Sequence, residues 1–160
     1  MSETQDPCLR EYTQDHCWQY DIRVRNREAD LKAAGLTEET ASALRVCDFT
    51  FKPLTTDSER AEAVEFIKRH EWLGTLSQYT THWFGAYYHD PHQGLIGRDI
   101  LAGVILMNLP NAFSKLLGDD TKKIERLVSR GACISWSPKN LASSFLMWCC
   151  GWMVKHTPFR

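Results

Sequence analysis

The sequence predicts an α+β fold in which a mostly antiparallel sheet is flanked by helices. Two apolar segments, Trp83–Tyr88 (WFGAYY) and Ile100–Asn108 (ILAGVILMN), have strand-like composition and enclose a turn-rich stretch, so they predict a β-hairpin. A further predicted strand, Ile124–Ile134, is followed by a long apolar helix that ends near His156. The chain has 160 residues and 43% hydrophobic content, which is enough for about one domain with a sizeable core.

The first part of the chain, residues 1–47, is predicted to be a helical or irregular extension of this domain. Residues 1–20 are either a loosely ordered tail or an arm packed on the main body. Ala29–Val46 has a helical composition and predicts two short helices, or one helix broken at Gly35.

Residues 48–160 are predicted to form the domain proper. Asp48–Leu54 alternates aromatic and polar residues, which predicts a strand that ends at Pro53. The remaining predictions are a helix from about Glu59 to His70 capped by Ser58, a short helix at Pro110–Gly118, a charged turn at Asp119–Lys123 and a kink at Gly131 in the last strand.

The junction between the last strand and the last helix is the predicted site of chemistry. Ser137 followed by Pro138 is a helix-start signal, so the helix is expected to begin at Ser137, with Lys139 and Asn140 in its first turn. Small residues follow, which allows a ligand to approach, and a helix N-terminus attracts anions. The residues beyond are apolar on nearly every side, which predicts a helix buried against the sheet.

Composition excludes several classes of protein. The longest apolar run is too short to cross a bilayer, and the first residues lack the features of a secretory signal, so we expect a cytoplasmic protein with no membrane partner. The six cysteines are then expected to be reduced thiols, with Cys149 and Cys150 packed inside the apolar helix. His89-x-x-His92 with Asp90, and Cys8 with His16 and Cys17, both lack a second properly spaced pair, so no metal site is predicted.

Charge is distributed unevenly along the chain. Residues 1–65 hold 8 basic and 14 acidic residues, whereas residues 66–160 hold 11 basic and 6 acidic residues. The basic half is therefore the better candidate for binding a polyanion, although a solvated basic face is the commoner explanation. The basic residues near the junction are Lys115, Lys122, Lys123, Arg126, Arg130 and Lys139.

The order of predicted elements resembles the Gcn5-related N-acetyltransferase (GNAT) fold. The segment Leu127–Arg130 followed by Pro138–Leu146 (PKNLASSFL) is similar to the phage Mom family of DNA-modification proteins within that superfamily. His70-Glu71-Trp72 and the later Phe84–Tyr87 resemble that family's histidine and aromatic step. The likeness covers about residues 60–160.

This resemblance implies an enzyme that converts adenine N6 in duplex DNA to a carbamoylmethyl derivative and so protects phage DNA from host restriction. The usual acetyltransferase loop cradles a coenzyme A pyrophosphate with glycines, but Ser135–Asn140 contains none, so the group donor is left unassigned. The chain ends where the fold would begin its next strand. We therefore expect a truncated form that lacks its C-terminal strands, or a homodimer or other partner that completes the sheet.

Adenine modification requires an extruded base, a basic surface for phosphates and an acceptor for the amino proton. His70 is the predicted proton acceptor, with Ser129 and Arg130 as further catalytic residues. The donor-binding residues are predicted to be Ser137, Lys139, Asn140 and Ser143, and the DNA-binding residues Lys115, Lys122, Lys123 and Arg126. One or two of Trp72, Tyr79, Trp83, Tyr87 and Trp136 are expected to stack on the extruded base.

Simpler roles remain open for these residues: His70 as the end of a helix, Arg130 as a surface ion-pair partner, and the donor-site residues as helix caps or ordinary exposed side chains. Two other functions also remain open. One is an acyl-CoA-dependent N-acetyltransferase of a small amine or protein, and the other is a non-catalytic binding module that docks a partner at the sheet edge.

Overall fold

The computed structural model describes residues 17–90, 98–110 and 121–159. In chain order these form α1 (Trp18–Ala34), α2 (Glu38–Ala43), β1 (Phe49–Pro53), α3 (Asp57–His70), β2 (Thr80–His89), β3 (Asp99–Asn108), α4 (Thr121–Ile124), β4 (Leu127–Cys133) and α5 (Leu141–His156), with a 3-10 turn at Val46–Asp48. The α+β class is confirmed. The tail or arm over residues 1–16, and almost all of the predicted helix at Pro110–Gly118, lie outside the described residues.

The four strands form one antiparallel sheet in the order β1-β2-β3-β4. The predicted hairpin is confirmed as β2 and β3, with Phe84 opposite Ile105. The predicted kink at Gly131 is wrong, because Gly131 pairs regularly with Ile105. The irregularity lies at Ser129, which has no partner between the pairs Leu106–Arg130 and Met107–Val128, as expected for a β-bulge.

The two faces of the sheet carry separate hydrophobic clusters. Alternate residues of β3 belong to different clusters: Val104 packs with residues of α1 and α3, whereas Ile105 packs with Phe145 and Cys149 of α5. The helices before β2 therefore cover one face and α5 covers the other.

Residues 18–43 pack on the same core as the sheet. Leu31, Ala34 and Ala41 belong to the cluster that contains Val104. The predicted break at Gly35 is confirmed, and its φ of 68° lies in the left-handed region that glycine adopts without strain. However, α1 begins at Trp18, well before the predicted start at Ala29. The early start was missed because the polar first turns of α1 lack an apolar stripe. The domain boundary at residue 47 stays a prediction.

The start of α3 also differs from the prediction. Thr56, not Ser58, is the N-cap: its hydroxyl accepts the N–H of Glu59 at 3.2 Å, and the Glu59 carboxylate accepts the N–H of Thr56 at 3.0 Å. This reciprocal arrangement is a capping box, and it explains why the helix includes Asp57 and Ser58.

Candidate functional site at the β4–α5 loop

The loop between β4 and α5, residues 134–140, has a different geometry from the one predicted. The helix begins at Leu141, not Ser137, because two turns intervene: the Ser137 N–H donates to Ile134 O at 3.1 Å, and the Leu141 N–H donates to Pro138 O at 3.2 Å. Asn140 precedes the helix with φ 68°, a left-handed conformation that asparagine tolerates better than most residues. Its side chain does not cap the helix.

Three side chains of α1 hold this loop in place. Arg23 donates to Ser135 O at 3.1 Å and to Ser137 Oγ at 3.2 Å, and Arg27 donates to Ser135 O at 2.9 Å. Asp30 accepts the Ser135 hydroxyl at 2.7 Å. The spacing of Arg23, Arg27 and Asp30 places them on one face of the helix, so α1 fixes the loop through a single row of side chains.

Asp30 links this loop to Arg69, which precedes His70 at the end of α3. Its carboxylate, which is 2% exposed, accepts a hydrogen bond from Arg69 Nη2 at 2.7 Å as well as the one from the Ser135 hydroxyl. The Nδ1 of His70 lies 3.6 Å from Asp30 Oδ2, which is longer than a hydrogen bond. Burial of the His70 ring lowers its pKa to about 4, so the imidazole is neutral at pH 7 and can accept a proton.

His70 borders a cavity of about 300 Å³ between the end of α3 and the start of β3. Arg69 and Arg98 contribute positive charge to its wall, and Glu62, Glu65 and Asp99 contribute negative charge. This mixed wall suits a polar, uncharged group better than a polyanion. We call it the His70 cavity.

A second cavity, of about 470 Å³, lies between α2 and the β4–α5 loop. Its wall contains three basic side chains, Arg27, Arg45 and Lys139, and no acidic side chain among the residues that line it. Trp136, 1% exposed, and Ser137 also contribute to the wall. We call it the Trp136 cleft. It brings together two of the predicted donor-binding residues, Ser137 and Lys139.

The other two predicted donor-binding residues, Asn140 and Ser143, are exposed at the start of α5. The hydroxyl of Ser143 donates to Asn140 O at 3.1 Å, which is a local contact within the first turn. The residues lining the Trp136 cleft do not include either of them.

Ser129 and Arg130 are separated from His70 along the sheet. Ser129 Oγ donates to Asn108 Oδ1 at 2.9 Å, so its hydroxyl forms a hydrogen bond between β4 and β3 at the position of the bulge. Arg130 Nε donates to Thr75 O at 2.9 Å, in the loop that follows α3. Both residues lie beside Leu106, whereas the His70 cavity borders the opposite end of β3.

The predicted DNA-binding residues have different environments. Lys115 and the side chain of Lys122 lie outside the described residues, and Lys123 is exposed. Arg126 is half-buried, with its guanidinium 3.4 Å from the centre of the Phe159 ring and its Nη1 donating to Glu125 O at 2.6 Å. Arg126 thus anchors the residues that follow α5.

The aromatic candidates for base stacking differ in exposure. Tyr79 is 60% exposed, Trp72 and Trp83 are half-buried, and Tyr87 and Trp136 are buried in the core. Tyr79 is therefore the residue of this set with the most open ring.

Two predictions about α5 can be compared with the structure, whereas Cys8, His16 and His92 of the predicted metal-ligand groups lie outside the described residues. The prediction that the helix is buried against the sheet is confirmed, because Phe145 and Cys149 pack in the same cluster as Ile105. The prediction that Cys150 packs is wrong, because Cys150 is exposed, as are Met147 and Val154. The reason is that α5 packs on the sheet with one face only. No group of three metal-ligating side chains occurs within the described ranges, and none of the described helices is long and apolar enough to cross a membrane.

Sequence reasoning missed Arg23, Arg27, Asp30, Arg45 and Ser135. The spacing Arg23-x3-Arg27-x2-Asp30 was a usable signal, because it predicts one polar helix face with charges of both signs. Nothing in the local pattern connects that face to Ser135, which lies 105 residues beyond Asp30.

No protein-family model, curated protein or solved structure matches this chain.

Proposed function

We propose that this protein is a Mom-like DNA-modification enzyme that converts adenine N6 to a carbamoylmethyl derivative. The observation that carries the proposal is the position of the segment most similar to Mom proteins, Pro138–Leu146. Its first residues form one wall of the basic Trp136 cleft, and the preceding Ser135 is joined through Asp30 to the surroundings of His70. A four-stranded antiparallel sheet with α5 directly after β4 supports the proposal at the level of fold class.

In the proposed reaction, His70 accepts the proton that N6 loses. A carbon–nitrogen bond forms between N6 and the carbamoylmethyl carbon, and the bond from that carbon to the donor breaks, with the electron pair leaving on the donor. The attacking amino nitrogen becomes cationic and acidic, so even an imidazole with a pKa of about 4 can take its proton. The His70 cavity, at about 300 Å³, is at the lower end of ligand-site volumes and suits a single extruded base.

Lys123 would hold the DNA backbone in this arrangement. Its side chain is exposed, and phosphate contacts by exposed lysines make binding strongly dependent on salt. Arg126 supports this surface indirectly, through its contact with Phe159.

Plasmid protection in bacteria tests the proposal. Plasmid DNA from cells that express the protein is digested with a panel of restriction endonucleases that require unmodified adenine, and the altered fraction of deoxyadenosine is measured by chromatography. His70→Gln should lower that fraction at least tenfold, whereas His156→Gln, which changes an exposed histidine at the end of α5, should leave it unchanged. Circular dichroism confirms that both variants fold. Complete cleavage and unaltered deoxyadenosine in the presence of folded wild-type protein would contradict the proposal.

A further inference from the structure

We propose that the Trp136 cleft binds a phosphorylated small molecule of about nucleotide size, through side chains from α2, the turn that follows it and the β4–α5 loop. This deepens the proposed function by giving the chemistry of the group donor, and it rests on that function only for the assignment as donor. Binding itself is a property of the cleft and can be measured separately.

The first argument is the charge of the wall. Lys139 and the guanidinium of Arg45 are exposed, and neither has a hydrogen bond or an ion pair with the residues that the structure describes. Arg27 differs, because its guanidinium is occupied by the Glu38 carboxylate and Ser135 O. The contact with Glu38 also raises the pKa of Arg27. Arg45 and Lys139 are thus available to a ligand, whereas Arg27 holds the β4–α5 loop in place through Ser135 O.

The second argument is the size and mixed polarity of the cleft. A volume of about 470 Å³ is within the usual range for small-molecule sites. Besides the cations, its wall contains the partly buried apolar residues Leu44, Val46 and Pro138. A ligand with a phosphate group and a flat or apolar part would use both surfaces, which favours a nucleotide-like molecule over inorganic phosphate alone.

Calorimetric titration of the purified full chain tests the proposal with four probes: ADP, pyrophosphate, adenosine and a short DNA duplex. We expect saturable binding of ADP, weaker binding of pyrophosphate and none of adenosine. Arg45→Gln and Lys139→Gln should each weaken ADP binding about tenfold, as expected for loss of one hydrogen bond to a charged group. The matched control is Lys155→Gln, which removes an equal charge from the exposed end of α5 and should bind as wild type does.

The proposal is overturned if millimolar ADP and pyrophosphate do not bind, or if the double variant Arg45→Gln/Lys139→Gln binds ADP as wild type does. Binding of duplex DNA that is lost in the double variant, without binding of ADP, would also overturn it, because the phosphates would then come from the DNA backbone. ADP binding in a protein that leaves adenine unmodified would remove the proposed function and leave the cleft assignment standing.

Discussion

Replacement of Asp30 by asparagine should destabilise the protein. The carboxylate is 2% exposed and accepts two hydrogen bonds of 2.7 Å, from Ser135 Oγ and from Arg69 Nη2. An asparagine keeps one carbonyl acceptor, so only one of these donors stays paired.

The magnitude follows from the two partners. A hydrogen bond between a hydroxyl and a buried carboxylate contributes about 1.5–3 kcal/mol. The Arg69 side chain is 50% exposed, so its ion pair is screened by solvent and adds at most about 1 kcal/mol. We therefore expect Asp30→Asn to lower the free energy of unfolding by about 2–3 kcal/mol, with a decrease in Tm of roughly 4–12 °C for a chain of this size.

Urea unfolding followed by tryptophan fluorescence measures this change. Glu28→Gln is the control, since it changes an exposed carboxylate on the same helix and should alter stability by no more than about 0.5 kcal/mol. Ser135→Ala alone and with Asp30→Asn completes a double-mutant cycle, with an expected coupling of about 1 kcal/mol. Strict additivity, or an unchanged midpoint for Asp30→Asn, would refute the role assigned to this network.

Three further predictions concern other parts of the molecule. The pKa of His70 lies at about 4 in the folded chain, below the ordinary 6.5, so the unfolded chain binds more protons between these values. Stability should therefore rise from pH 4 to pH 6.5 in urea titrations, and His70→Gln should flatten that rise. Gly85→Ala should lower the free energy of unfolding by about 1–3 kcal/mol, because the added Cβ would lie 2.7 and 2.8 Å from two side chains. Gly131→Ala is the control and should be nearly neutral, because its nearest atom is 3.5 Å away. Equal Tm values for the two variants would contradict this prediction. A thiol reagent should label exposed Cys150 in the native protein but buried Cys149, whose pKa burial raises, only after unfolding; mass spectrometry of the peptides checks it.

Much of the fold was predictable because its signals are local. The two apolar segments and the turn-forming composition of the sequence between them predict a hairpin without any tertiary information, and β2 and β3 pair accordingly. The boundaries of α1 and α5 were not predictable in the same way. The polar first turns of α1 show no apolar stripe. At residue 137 the serine–proline pair precedes two turns rather than a helix, and these turns end with Asn140 in a left-handed conformation.

The candidate site was only half predictable, for a similar reason. Ser137 and Lys139 were identifiable because the polar loop before an apolar helix is visible in the sequence. Asp30 and Ser135 act through a contact between distant segments, and Arg45 lines the cleft because the turn after α2 packs beside the β4–α5 loop. Periodicity carries no information on such contacts.

The central claim is most directly tested by the mass of the nucleosides in DNA from cells that express the protein. The proposal predicts a deoxyadenosine in which one N6 hydrogen is replaced by a carbamoylmethyl group, present with wild-type protein and depleted with His70→Gln. Deoxyadenosine of unchanged mass alone, from cells that contain folded wild-type protein, would contradict it.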